Sequence, residues 1–351
     1  MAGFNIPIRK MSHHKQPIDD LKELLDEREN LEEALRSSIE EADQLDEPTL
    51  ENFYSFLEDT LTSIPTDRSL VPNKNEFFYQ IDQEPLLKED DEFQKWVKDL
   101  THAWGEFLAT PESAEGIDTF REDPEFKIED YYEAPGGWRT FNQFFARHVK
   151  PGKRPIEGLC DDDVVTSPAD STFKDQYDIE KEGEAAIEVK GVEWDIAELV
   201  QDSGYTEEFA GGTFCHMYLS VHDYHRYHTP VRGEVLDTDI IDGRYSLDVV
   251  KNDDGNLDTT DGDTYQFNQE RGLIIYDSPV GLVGMLPIGM GIVSSIELLV
   301  EEGVEIQKGD EAGYFQFGGS DIILLFEEDA VDITAEPGEH NLMGEKIGHA
   351  K

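Results

Sequence analysis

Residues 314–327 read YFQFGGSDIILLFE: an aromatic run, two glycines and a serine, then five consecutive apolar residues. The pattern places FGGS at the end of one strand, entering a tight bend, with DIILLFE leaving as the next strand. Gly318, Gly319 and Ser320 are more than a two-residue hairpin turn requires, so the bend asks for a second explanation.

The surrounding sequence has the same texture. PVRGEV at 230–235 and GVEIQKGDEAGYF at 303–315 both turn the chain on glycine and polar residues while Val and Ile alternate, as strands of a compact antiparallel barrel or sandwich require. Further β-type runs are DVVTSPADSTFK from 163, GTFCHMYLSV from 212, RGEVLDTDII from 232, GLIIYDSPVGLVGMLPIGMGIVSSIELL from 272 and DIILLFEEDAVDITA from 321. KNDDGNLDTTDGDTYQFN, from 251, reads as a polar surface loop, and it lacks the Glu that an EF-hand needs at its twelfth position.

Upstream the period changes. From residue 18 to about 63, Leu21, Leu24, Leu25, Leu31, Leu35 and Ile39 recur at three- and four-residue steps among acids, with Pro48 and Pro65 as punctuation. In DDEFQKWVKDLTHAWGEFLATPES, Phe93, Trp96, Val97, Leu100, Trp104, Phe107 and Leu108 form one stripe, read as a buried helix face. The expected class is therefore α+β. A mostly helical region, 1–150, precedes a β-rich antiparallel barrel- or sandwich-like domain, 151–351.

The 351 residues, 38 % of them hydrophobic, suffice for a substantial core. Against 29 Lys and Arg stand 79 Asp and Glu, a formal charge of -50 spread along the chain. Such a surface repels nucleic acid and anionic lipid, and it suits a high-salt cytoplasm that screens the self-repulsion. Two cysteines, Cys160 and Cys215, form no CxxC pair and no disulfide framework. The sequence is read as soluble and cytoplasmic, without a signal peptide or membrane span.

Chemistry concentrates in HMYLSVHDYHRYHTP, which carries His216, His222, His225 and His228. Three readings stand side by side: surface polar residues, zinc ligands without an accompanying HExxH or CxxC, and acid–base groups whose tautomer a carboxylate would fix. Asp170, after Pro168 in TSPADSTFK, is a candidate carboxylate or an ordinary turn residue. Tyr224 and Tyr227 are either pocket or packing residues.

Taken together, SPADS, DYHRYHTPVRG and KGDEAGYFQFGGS resemble the phosphatidylserine decarboxylase family of pyruvoyl enzymes, in the family's order over roughly residues 138 to 333. The resemblance implies a cut at Gly319–Ser320, with Asp170, His228 and Ser320 as the self-cleavage triad and His225 serving decarboxylation. It implies a pyruvoyl cofactor made from Ser320, which reacts with a substrate amine through a Schiff base, and no metal. Glycine permits the sharp bend that brings the Ser320 hydroxyl to the Gly319 carbonyl. His228, oriented by Asp170, would take the hydroxyl proton as the peptide becomes an ester. Elimination of the Gly319 carboxylate then leaves dehydroalanine, whose tautomer hydrolyses to pyruvoyl and ammonia. The resulting chains, 1–319 and 320–351, are expected to stay associated.

The family commonly has Ser or Thr after the cleaved serine, where this chain has Asp321. A carboxylate there would either hold water or the iminium, or slow the ester shift by its charge. WGEFLATPES and GGWRTFNQFFARHVKPGKRPIE are similar to the soluble tryptophan decarboxylase branch, which tilts the expected substrate toward a free aromatic amino acid over the head group of phosphatidylserine. Transient membrane contact and a homo-oligomer stay open. Two readings from other classes also stay open, a zinc-dependent hydrolase and a non-catalytic β-rich binding module.

Overall fold

The computed structural model describes residues 15–181, 185–189, 192–201, 203–245, 247, 249–252, 254–259, 268–289, 296–317 and 320–351. Helices α1 (Gln16–Glu27), α2 (Glu29–Ala42), α3 (Leu50–Leu61), α4 (Leu70–Ile81), α5 (Pro85–Glu89), α6 (Asp91–Leu108), α7 (Ile117–Glu122) and α8 (Phe141–Phe145) come first, and α9 (Ile196–Val200) follows later. The strands begin with β1 (Val164–Thr166), β2 (Ser171–Asp178), β3 (Ala186–Val189), β4 (Val192–Asp195), β5 (Thr213–Leu219), β6 (Arg226–His228), β7 (Gly233–Ile241), β8 (Val249–Lys251) and β9 (Leu257–Thr259). They continue with β10 (Arg271–Ser278), β11 (Gly281–Gly289), β12 (Ile296–Leu298), β13 (Glu305–Ile306), β14 (Glu311–Phe315), β15 (Ser320–Phe326), β16 (Val331–Ile333), β17 (His340–Asn341) and β18 (Lys346–Ala350).

Helix α6 shows why the N-terminal region is helical. Asp90 caps it, accepting from the backbone N–H groups of Glu92 and Phe93, and every residue of the Phe93-to-Leu108 stripe is buried. Trp96 donates from its indole to the Pro17 carbonyl at 2.7 Å, which locks α6 against the start of α1.

The central sheet has eight antiparallel strands in the order β13-β7-β10-β11-β15-β5-β2-β17. Its two end strands do not pair with each other, so the sheet is open, and among the described residues no closed barrel forms. The class is α+β, and the expected barrel or sandwich is corrected to an open sheet covered on both faces. One face shares a continuous core with the helices, including Phe53, Phe93, Phe141, Met285, Ile322 and Leu324. The other, with Ile288, Ile323 and Leu325, packs against Ile187 of β3 and Ile196 and Leu199 of α9.

Strand β15 lies between β11 and β5, and all seven of its residues are buried. That explains its unbroken apolar run, because alternate side chains enter opposite cores. The expected succession of strands around FGGS is present, but the two are not paired with each other. β14 joins β6 and β12 in a three-stranded sheet, whereas β15 enters the central sheet. The chain changes sheets between them, which a tight hairpin cannot do. PVRGEV and GVEIQKGD, alike in texture, pair directly: Gly233 stands opposite Ile306 and Glu234 opposite Glu305. Part of the expected polar loop at 251–268 is ordered as the β8–β9 hairpin, with Val249 opposite Thr259, and Asn75 of α4 donates to its Leu257 carbonyl at 2.8 Å.

Candidate active site

Ser320 opens β15 opposite Leu219 of β5 and Gly289 of β11. It has no exposed surface, and its Oγ has no hydrogen-bond partner among the described residues. Gly319, the other half of the expected cleavage site, and Gly318 lie outside the described residues. Strand alternation sends the Ser320 side chain to the face of Ile322 and Leu324, the core shared with the helices. Asp321 therefore points to the opposite face, where its Oδ2 accepts from Nε2 of His216 at 2.9 Å. Both residues are buried, and the Asp321 carboxyl does not share the serine's side of the sheet.

His225 precedes β6, and its carbonyl accepts from the backbone N–H of Phe315 at 2.8 Å. Its Nδ1 lies 3.0 Å from the Asp223 carbonyl. A carbonyl only accepts, so Nδ1 carries the hydrogen and Nε2 presents a lone pair. That Nε2 is buried, with no partner among the described residues. The ring packs against Phe145 at a tilt of 33°, with centroids 3.9 Å apart, and Phe145 lies 5.7 Å from Phe317, three residues before Ser320. Burial, aided by the nearby charge of Arg147, lowers His225 to about 3, and Asp223 opposes the shift.

The residues that fix His225 come from three elements. Thr140 caps α8, its hydroxyl accepting from the Gln143 N–H, and the helix presents Phe141, Phe144 and Phe145. Just beyond it, Arg147 is 1 % exposed and donates from Nη2 to the carbonyls of His222 and Asp223 at 2.7 and 3.0 Å. The rings of Tyr131, Phe144 and Phe126 lie 4.1, 5.2 and 5.6 Å from its guanidinium. The Asp223 carboxylate accepts from the Ser220 N–H at 2.7 Å and contacts His340 Nε2 at 2.8 Å. The turn bearing His225 is thus held by a cation, a carboxylate and a packed ring.

His228 ends β6, opposite Glu311 of β14. Its Nδ1 is 2.8 Å from the Gly309 carbonyl, and its Nε2 is 3.1 Å from the Tyr224 hydroxyl. The φ of +84° at Gly309 is one that glycine adopts without strain. Burial lowers the His228 pKa, against the Gly309 bond and the charges of Glu311 and Asp170. Asp170 itself is engaged by Arg154, whose Nε donates at 2.7 Å and whose Nη2 takes the second oxygen, and by the Met343 N–H at 2.9 Å. No hydrogen bond joins Asp170 to His228 among the described residues. A guanidinium fork satisfies both carboxylate oxygens at once, so Asp170 acts on His228 through its charge. The backbone N–H of His228 donates to the Pro168 carbonyl at 2.7 Å, tying the two segments together.

The four histidines of HMYLSVHDYHRYH diverge to separate partners, His222 facing Glu125 at 3.3 Å. No group of three metal-ligating side chains is found among the described residues. Tyr227 donates its hydroxyl to the Glu297 carbonyl at 2.8 Å and packs in the core, whereas Tyr224 reaches His228. A cavity of about 350 Å³ opens between α8 and the β6–β14 pair, with Tyr132, Trp138, Asn142, Arg226 and Tyr314 among its walls. Sequence reading passed over Arg147, Arg154 and Phe145. The available signal was a pair of arginines inside an otherwise aromatic and basic stretch, FFARHVKPGKR.

A family model described as phosphatidylserine decarboxylase matches residues 141–349. The chain is similar to "Phosphatidylserine decarboxylase proenzyme 2" of Oryza sativa subsp. japonica, 32% identical over 243 residues, which cover 68% of this chain and 38% of the rice protein. It thus spans well under half the length of that relative. "Phosphatidylserine decarboxylase proenzyme" of Fusobacterium nucleatum is 32% identical over 265 residues, 72% of this chain and 84% of the bacterial protein. "Decarboxylase iboD" of Amanita muscaria is 29% identical over 271 residues, 67% of this chain and 77% of the fungal one.

Proposed function

The chain belongs to the phosphatidylserine decarboxylase family, and from that premise we propose that it cuts itself between Gly319 and Ser320 and acts as a pyruvoyl-dependent decarboxylase of an α-amino carboxylate. One observation carries this reading. Ser320 Oγ and His225 Nε2 are both buried without a hydrogen-bond partner among the described residues. An unsatisfied buried polar group costs about 1–3 kcal/mol, and two at sequence-predicted positions point to chemistry over packing.

A pyruvoyl group formed from Ser320 would supply the electron sink that loss of CO₂ requires. The chain's own residues have separate tasks. β11 and β5 fix residue 320 from both sides, and it has no exposed surface. His225 presents its Nε2 lone pair, and that atom is where it would exchange a proton. His228 is already bonded at both nitrogens, and Tyr224 O–H occupies its lone pair. In self-cleavage it would accept the Ser320 proton only after Tyr224 releases that position, with the charge of Asp170 favouring the protonated ring.

Phosphatidylserine is the substrate that the names of the rice and Fusobacterium relatives support. A free aromatic amino acid is a second reading, favoured by the tyrosine and tryptophan rings lining the 350 Å³ cavity beside α8. Intact-mass spectrometry of the purified protein should give two chains, 1–319 and a pyruvoyl-blocked 320–351, and Ser320→Ala should give one. Amine release from micellar phosphatidylserine, compared with free tryptophan, tyrosine and phenylalanine, then selects the substrate. A wild-type chain that stays whole overturns the proposal.

A further inference from the structure

We infer that the buried His216–Asp321 pair is a tether that keeps the cut end of β15 in register, so that the cofactor-bearing residue is presented to substrate. The inference rests on the self-cleavage reading above. It begins from three features of the structure. Asp321 is fully buried beside the cleavage serine, His216 lies on the neighbouring strand, and their side chains meet at 2.9 Å on the sheet face away from Ser320.

The apolar residues of β15 cannot fix its register alone. Ile322, Ile323, Leu324, Leu325 and Phe326 are buried on both faces, so a slip of two residues returns every side chain to an apolar environment on its own side. Asp321 breaks that equivalence: it stands opposite Tyr218, and an outward slip of two residues would carry its carboxyl away from the His216 imidazole, which lies two positions inward. That outward slip would separate a buried carboxylate from the imidazole it meets. A buried polar pair that selects one register is a recognised use of such pairs where an apolar pair would pack as well.

Self-cleavage sharpens the need. Before the cut, residue 320 is held by its bond to residue 319. Afterwards it is a chain end, and chain ends fray unless tied down. The nitrogen of Ser320 leaves as ammonia when the pyruvoyl group forms, so the first remaining N–H of the strand belongs to Asp321. The same residue carries the side-chain bond to the large chain. After the cut His216 belongs to chain 1–319 and Asp321 to chain 320–351, which makes the contact a link between the two products. It also accounts for the departure from Ser or Thr at this position without placing a carboxyl beside the reacting carbonyl.

The test compares D321V, D321N and H216L with wild type. Intact mass and titration of the ketone with a hydrazide count pyruvoyl per molecule, and hydrogen exchange of 321–326 reports fraying of the strand. Expected for D321V and H216L are faster exchange and turnover per pyruvoyl lower by about 10²-fold, the scale of a misplacement near 1 Å. D321N, whose amide oxygen still accepts from His216, should stay close to wild type in both. Wild-type exchange in D321V, or a D321N as impaired as D321V, overturns the tether. Should the apolar variants not fold, exchange in the cut wild type against uncut Ser320→Ala decides: equal protection at 321 and 322 supports the tether and lost protection overturns it. A wild type with no ketone fails the self-cleavage reading itself, and the tether with it.

Discussion

At Ser320 and His225 the fold leaves a hydroxyl and a ring nitrogen buried, with no hydrogen-bond partner among the described residues. His225 titrates near 6.5 in an unfolded chain and is lowered to about 3 here, by burial first and then by Arg147. Between those values the unfolded chain binds the proton and the folded one does not, so this group makes stability rise with pH from about 3 to 6.5 and leaves it flat above. The prediction is that His225→Gln lacks this component. Urea midpoints at pH 4 to 8 and fixed salt should show wild type losing more stability than the variant as pH falls. Arg154 poses a different test. Its side chain and that of Asp170 are each 3 % exposed, so Arg154→Met strands a buried carboxylate. The expected loss is about 3–5 kcal/mol by denaturant titration, and Arg154→Lys, which has no fork, should recover only part of it. Ser320, His225 and His228 stand out as candidates in the sequence because a histidine-rich stretch and a GGS run are chemically marked motifs that match the family resemblance. The Arg154 fork on Asp170 was not legible, since nothing in local spacing says which of two partners a carboxylate takes.

Among the elements, α8 and β15 carry the candidate site. Phe145 on α8 is the ring packed against His225 and is 1 % exposed. Phe145→Ala should cost about 3–5 kcal/mol of stability and slow self-cleavage, followed as the fraction of intact chain over time after refolding. Thr140→Ala, which removes only the cap, should cost about 1 kcal/mol and leave the final extent of cleavage unchanged. The α6 stripe and the strand runs were readable because period 3.6 and short apolar runs are local signals. Strand partners are not local. The sequence places strands on both sides of FGGS, but only the pairing of β14 with β6 and of β15 with β11 and β5 shows the chain crossing between sheets. The first part of 251–268 looked like open loop because its polar residues hide a two-stranded pairing three residues long.

For the molecule as a whole, charge and topology set the behaviour. A formal charge of -50 makes the compact state self-repelling, and raising salt from 0.1 M to 1 M shortens the screening length from about 10 Å to about 3 Å. The melting temperature should therefore climb with KCl over that range, measured by calorimetry. No helix among the described residues is long and apolar enough to cross a membrane. Segment 320–351 contributes β15 between β11 and β5, β17 against β2, and β16 and β18 in the sheet with β1. Size-exclusion chromatography of the processed protein should keep both pieces together until denaturant is added. The burial of β15 has a consequence for timing. On the proposed self-cleavage, a serine enclosed by strands on both sides implies that chemistry at its bond follows assembly. A misassembled copy would then not arm itself, and maturation by that route would double as an inspection that each molecule performs on its own workmanship.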